Sequence, residues 1–161
     1  MRNIGVLWFA LVLILFISCK NKTEIHTANG KVNCIEVQEA DHIIWKRYRC
    51  RGTCKEYTFT MNADGTVLLE AGVNMEKQGN FHSEITKQKV CELFEGIREC
   101  TESLIGLYNP NISDFQQMDL TISFDDYKKK IEGNTKTPEC YSELVKELDA
   151  FVDRLDWKEV D

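Results

Sequence analysis

Apolar and polar residues alternate from Tyr57 to Met61, with Tyr57, Phe59 and Met61 on one side and Thr58 and Thr60 on the other. That is the period of a half-buried β-strand. Asn62-Ala63-Asp64-Gly65 follows and predicts a type I turn closed by Gly65 at positive φ. Thr66 to Ala71 returns as the partner strand. Upstream, His42 to Cys50 is rich in β-branched and aromatic residues, which fit a pleated surface, although Ile43 and Ile44 break strict alternation. Gly72 and Gly79 punctuate the exit, and the segment between them is a candidate extension of the sheet. Val32 to Val37 alternates weakly and reads as a short edge strand or as the end of a linker.

The period then changes. Val90, Leu93, Phe94, Ile97 and Leu104 recur at three and four residues, which predicts a helix from Thr86 to Cys100. Thr86 is its cap, and Ile85 with Val90 has the spacing of a hydrophobic staple. Gly96 in its interior is expected where the helix packs closely on the sheet, since glycine there costs about 1 kcal/mol relative to alanine. Tyr108-Asn109-Pro110-Asn111 reads as a loop. Leu120, Ile122 and Phe124 alternate, Asp125-Asp126 makes a two-residue turn, and Tyr127 to Ile131 comes back. Lys128, Lys129 and Lys130 on that strand read as a solvated face that discourages edge pairing. The last helix is capped by Thr137, with Pro138 in its first position and Glu139 in its first turn. Tyr141, Leu144, Val145, Leu148, Phe151, Val152 and Leu155 form its apolar stripe, and Trp157 is expected to pack on the sheet or the helix end. The order β-β-β-α-β-β-α, hairpins separated by helices, predicts an α+β domain: an antiparallel sheet with two helices on one face.

The first residues obey a different rule. Arg2 precedes an unbroken apolar run from Val6 to Ile17, shorter than the roughly 20 residues a comfortable span needs and of the length of a secretory h-region. Phe16-Ile17-Ser18-Cys19 then resembles the lipobox of bacterial lipoproteins, with Phe16 in place of the usual leucine. The resemblance implies cleavage before Cys19 and lipidation of its thiol. An ordinary cleaved signal and an uncleaved anchor are the alternatives. The chain thus divides into a leader (1–18), a lipid-anchored flexible tether (19–31) and one domain (32–161). Several buried acyl chains, at about 0.8 kcal/mol per methylene, would anchor it firmly to the membrane.

Export changes how the cysteines are read. Seven are present; setting aside Cys19 leaves an even set, Cys34, Cys50, Cys54, Cys91, Cys100 and Cys140, in a compartment where disulfides persist. Cys50 and Cys54 need their Cα atoms within about 7 Å, so the segment between them must turn, and Gly52 makes that easy. Cys91 and Cys100 share one predicted helix at roughly 13–14 Å, beyond disulfide reach. The preferred pairing is Cys100 with Cys140 and Cys34 with Cys91. The net charge of -6 and the lack of a basic patch apart from Lys128-Lys129-Lys130 argue against nucleic acid as a partner.

Cys50-x-Gly52-x-Cys54-x-x-Tyr57, followed by Asp64-Gly65 and Gly79, resembles an uncharacterised domain family of lipoproteins of the Bacteroidetes and their relatives, in which a Cys-x-Gly-Thr-Cys-Pro-x-Tyr segment precedes an Asp-Gly hairpin. The likeness runs roughly over 42–157, with Lys55 where that family usually has proline. It implies architecture and location, and no reaction.

Candidate chemistry is sparse. A redox-active Cys50/Cys54 pair would have Cys-x3-Cys spacing and no helix start to lower a thiol pKa. A zinc site would want further ligands at regular spacing. His26, His42 and His82 stand apart from one another, and Asp125-Asp126 is explained by its turn. An enzyme would have to assemble scattered residues such as His42, Asp64 and Tyr57. The polar loop from Tyr108 to Gln117, with Phe115, is a possible recognition surface. No catalytic group, metal or cofactor is expected. The reading is a lipid-anchored, disulfide-stabilised binding domain of the cell envelope, for an unknown protein or small ligand. The alternative is a thiol-disulfide protein or an enzyme with a site near Cys50 to Tyr57.

Overall fold

A computed structural model describes residues 25–27, 30–32, 37–108, 115–134 and 137–160. Residues 1–18, expected from the sequence to be a leader, and Cys19 and Cys34 lie outside the described residues. Within the stretch read as a tether, β1 (Ile25–Thr27) and β2 (Gly30–Val32) pair as a two-stranded antiparallel ribbon. β-branched Ile25, Thr27 and Val32 are the local signals for it. Val32 closes β2, and 33–36 are not described.

The domain is one eight-stranded sheet with two helices. In chain order it comprises β3 (His42–Arg47), β4 (Tyr57–Asn62), β5 (Thr66–Ala71), β6 (Gly79–Glu84), α1 (Lys87–Thr101), β7 (Leu107–Tyr108), β8 (Met118–Phe124), β9 (Tyr127–Gly133), α2 (Glu139–Arg154) and β10 (Lys158–Glu159). The spatial order is β10-β6-β5-β4-β3-β8-β9-β7. Every pairing is antiparallel except that of β7 with β9. β3 is central: Trp45 faces Phe59 of β4 on one side and Leu120 of β8 on the other. The meander from β3 to β6 builds one half. After α1 crosses over, β8 and β9 build the other.

The α+β class and the placement of both helices on one face agree with the alternation. Ile43 and Trp45 of β3, Phe59 of β4 and Ile122 of β8 are buried in the same cluster as Phe94 of α1 and Phe151 of α2. Phe94 packs on Phe124 at 4.7 Å between ring centroids, Phe151 meets Phe59 edge-on at 6.0 Å, and Tyr141 meets Trp45 at 6.5 Å. The two helices are stapled where they approach: Cys100, near the end of α1, is bonded to Cys140 in the first turn of α2, with Cα atoms 5.8 Å apart. Cys91, on the buried side of α1, is also disulfide-bonded.

Several local expectations need correction. Three strands of the sheet were expected before α1, and among the described residues the eight-stranded sheet has four there. Residues 72–78 leave the sheet as a loop, and β6 begins only at Gly79. Its sequence, Gly-Asn-Phe-His-Ser-Glu, offers one large apolar side chain; Phe81 is buried opposite Leu69, so pairing with β5 decides the strand. β7 takes Tyr108 out of the expected loop. It fits because Gly133 lies opposite: a Cβ there would come within 2.9 Å of the Tyr108 Cβ and carbonyl oxygen. β10, added after α2, pairs with β6. β3 stops at Arg47 rather than Cys50.

Helix ends also differ. Thr86 caps α1 as expected, accepting from the Lys89 N–H at 3.2 Å. α2 instead begins at Glu139 with Pro138 as its cap residue and no side-chain cap bond. Thr137 turns its hydroxyl to that of Ser142, 3.0 Å away. Leu155 falls just past the helix in extended conformation. Lys129 is not a solvated lysine: its ammonium donates to the carbonyls of Thr101 (2.7 Å) and Glu102 (3.1 Å), where a cation suits the negative end of α1. Gly65 adopts φ +97° as predicted, and a Cβ there would lie 2.3 Å from the Ile85 carbonyl oxygen.

Gly96 does not touch the sheet. It is exposed, and a Cβ there would meet nothing within 4 Å. Gly96→Ala should therefore stabilise the domain by about 1 kcal/mol, read as a higher urea midpoint with an unchanged slope.

Candidate functional site

The segment from Cys50 to Tyr57 joins the inner strands β3 and β4. Cys50 is bonded to Cys54, with Cα atoms 5.7 Å apart. That closure forces the turn, and the Gly52 N–H donates to the Cys50 Sγ at 3.3 Å. Two amide side chains hold the turn from outside. Asn74, at positive φ (65°) in the 72–78 loop, donates to the Cys54 carbonyl at 2.9 Å. Gln116 donates to the carbonyls of Tyr48 (3.0 Å) and Lys55 (2.5 Å). Backbone bonds from Glu56 N–H to the Val73 carbonyl and from Gly72 N–H to the Glu56 carbonyl, each 2.8 Å, complete the frame.

Beneath the turn lies a polar cluster centred on Asp149 of α2. Its Oδ1 accepts from the Tyr57 hydroxyl and from the Trp45 indole N–H at 3.2 Å. Its Oδ2 lies 3.2 Å from the Arg47 guanidinium. The same indole N–H is 3.1 Å from the Tyr57 hydroxyl, so one hydrogen is shared between two acceptors. One helical turn on, Asp153 receives the Lys55 ammonium at 2.6 and 2.8 Å. The Asp149/Asp153 spacing of four thus clamps α2 to β3, β4 and the stapled turn together. Tyr57, Trp45, Arg47 and Lys55 each spend a donor on Asp149 or Asp153, which is the arrangement of a fastening.

Burial raises the Tyr57 hydroxyl pKa far above 10, and the neighbouring Asp149 charge adds to the shift. Burial likewise raises that of Tyr141, with the Asp119 charge adding. The Tyr141 hydroxyl finds no hydrogen-bond partner among the described residues. Unfolded tyrosine ionises near pH 10, while these two stay protonated in the fold. Their contribution is thus whole below pH 10 and lost as pH rises above it. Stability should fall by about 1.4 kcal/mol per pH unit for each buried phenol. Tyr57→Phe should remove about half of that slope in urea titrations run above pH 10.

Next to the turn, a cleft of about 310 Å³ opens between strands β5 and β6, the 72–78 loop and the end of α2. Leu69, Met75, Phe81, Val152, Leu155 and Trp157 give it an apolar lining. Lys55, Glu76, Lys77, Asp153 and Asp156 form the rim. Trp157 is fixed by its N–H, which donates to the Val152 carbonyl at 2.9 Å, and by an edge contact with Phe59 at 6.3 Å. Lys55 carries the stapled turn to the rim of this cleft, and Asn74 ties the turn to the 72–78 loop, whose Met75, Glu76 and Lys77 line it. A second, more open groove of about 320 Å³ runs past Lys46, Arg47, Glu56, Glu70 and Asn80 at the end of the sheet.

The scattered residues proposed for an enzyme do not meet. His42 pairs with Asn62 at one end of the β3/β4 ladder and Tyr57 with Arg47 at the other, about 17 Å apart at strand rise. Asp64 is used in its own turn, accepting from the Thr66 N–H at 2.8 Å and from its hydroxyl at 2.5 Å. Those bonds lower its pKa. His82 lies opposite Leu68 on β6. Of the Asp125-Asp126 turn, Asp126 holds Arg98 of α1 at 2.5 and 3.0 Å; this bond lowers the Asp126 pKa and raises that of Arg98. Phe115 is exposed, and 109–114 of the polar loop are not described.

A family model for a domain of unknown function (DUF6438) matches residues 41–155. The chain belongs to the DUF6438 family. The match runs from Asp41, just before β3, to Leu155, just after α2, so it takes in the stapled turn, the Asp149 cluster and most of the cleft. Trp157 and β10 lie beyond it. No curated protein matches the chain.

The Asp149 cluster was not anticipated. The sequence signal for it is slight: Asp149 stands four residues after Val145 and three before Val152, inside the apolar sector of α2. Asn74 and Gln116 carry no local signal, because their roles depend on turns brought from elsewhere.

Proposed function

We propose that this DUF6438 protein is a lipid-anchored, non-catalytic binding domain of the bacterial cell envelope, taking its ligand in the cleft lined by Leu69, Phe81 and Trp157. The observation that carries the binding reading is the contrast between two neighbouring features. The polar groups under the Cys50–Cys54 turn hold elements together, whereas the cleft beside them keeps Met75, Leu155 and Trp157 half exposed beneath a charged rim. Its volume falls at the lower end of small-ligand pockets. The turn then serves as a rigid wall, with Lys55 at both the loop exit and the rim.

The anchor rests on sequence: the apolar run Val6 to Ile17, then Ser18-Cys19 and polar Lys20-Asn21. The likeness of the Cys50 to Tyr57 segment to lipoproteins of the Bacteroidetes points the same way. In this reading Cys19 holds the protein to the membrane, nucleic acid is no partner, and no cofactor is needed. Cys19→Ala should abolish incorporation of labelled palmitate and release the protein from the membrane fraction. Continued acylation or retention of the variant would contradict the anchor.

A further inference from the structure

The charges around the cleft are not evenly matched. Lys55 is taken by Asp153, both of whose oxygens it contacts. Of the remaining rim groups, Glu76 and Asp156 carry negative charge and Lys77 positive, which leaves one negative charge in excess. The cleft also sits at the C-terminal end of α2, the negative end of its dipole, where the Val152 carbonyl is already taken by the Trp157 N–H. Arg154, the basic residue of that last turn, does not line the cleft. The lining supplies an indole, a phenyl ring and a thioether, surfaces that accept an apolar body and, at the indole, a cation.

We infer that the ligand of this cleft is a small amphiphilic cation, an apolar or aromatic body carrying one ammonium group that faces Asp156 and Glu76. The inference rests on the binding role proposed above and adds the chemical class. The apolar body lies against Met75, Leu155 and Trp157, the half-buried apolar residues of the lining, with Leu69 and Phe81 beneath them as floor. The ammonium stands at the rim, where its attraction is weakened by salt.

Three probes of nearly equal size and different charge test it: 2-phenylethylamine, 2-phenylethanol and 3-phenylpropanoate. Each is titrated into the full-length protein while the Trp157 indole N–H resonance is followed, assigned with Trp157→Phe. The amine should bind about fivefold more tightly than the carboxylate, and Asp156→Asn should weaken the amine two- to fivefold while leaving the alcohol unchanged. Nα-acetyl-lysine methylamide, run alongside, separates a free amine from a lysine side chain as the source of the ammonium. Carboxylate binding equal to or tighter than that of the amine would overturn the inferred class and leave the cleft as a binding site. If none of the probes moves the Trp157 resonance, the cleft itself is not a binding site and both readings fall.

Discussion

Asp41→Ala should cost the domain about 3 kcal/mol, with Asp41→Asn losing roughly half as much, since hydrogen bonds to a charged group contribute about 1.5–3 kcal/mol each. Asp41 is 5% exposed. One carboxylate oxygen accepts from the Gln38 N–H at 2.8 Å and the other from the Asp125 N–H at 2.9 Å. Its carbonyl accepts from the Ala63 N–H at 2.9 Å. One side chain therefore fastens the entry to β3 and the β8–β9 turn, while its backbone holds the β4–β5 turn. Alanine removes both side-chain acceptors; asparagine keeps one oxygen and turns a donor toward the other N–H. The costs are read as urea midpoints of the two variants. Variants as stable as the parent would mean that water replaces Asp41 without loss.

Replacing both Cys100 and Cys140 by serine should cost about 4 kcal/mol, about twice the cost of replacing Cys50 and Cys54. The difference follows from loop length, a separation of 40 residues against one of 4. Closing the longer loop removes more freedom from the unfolded chain. The Cys100–Cys140 bridge also spans the two helices, while the Cys50–Cys54 bridge shapes one turn already held by Asn74 and Gln116. Urea unfolding of the two double variants gives both numbers. Equal losses would move the stabilisation from the unfolded chain to the strain and packing of the folded one.

Much of the fold was legible because it is written locally. Tyr57, Phe59 and Met61 alternate, Asp64-Gly65 makes the turn, and the stripe from Tyr141 to Val152 has helical period; all of these residues except Asp64 are buried. What was not legible depends on distant partners. β6 is a strand because Leu69 receives Phe81 and β10 covers its outer edge. β7 exists because Gly133 leaves room for Tyr108. Gly96 misled because an exposed glycine and a closely packed one look alike in a sequence.

The candidate site divides in the same way. The Cys50 to Tyr57 segment stood out at once, through two cysteines around a glycine. Its partners did not. Asp149 is separated from Tyr57 by 92 residues and from Trp45 by 104, and Trp157 reaches Phe59 from beyond α2. The stapled turn was expected from the sequence; the helix that braces it and the cleft beside it are visible only in the folded chain.

The most direct test of a lipid-anchored, stapled, non-catalytic domain is one intact-mass measurement. The protein is taken from native membranes, denatured without reductant and treated with an alkylating agent. The account predicts a chain that begins at Cys19, carries acyl groups there, and takes up no alkyl group at Cys34, Cys50, Cys54, Cys91, Cys100 or Cys140. A chain that retains residues 1–18 with Cys19 unmodified, or one alkylated at Cys50 or Cys54, would contradict it.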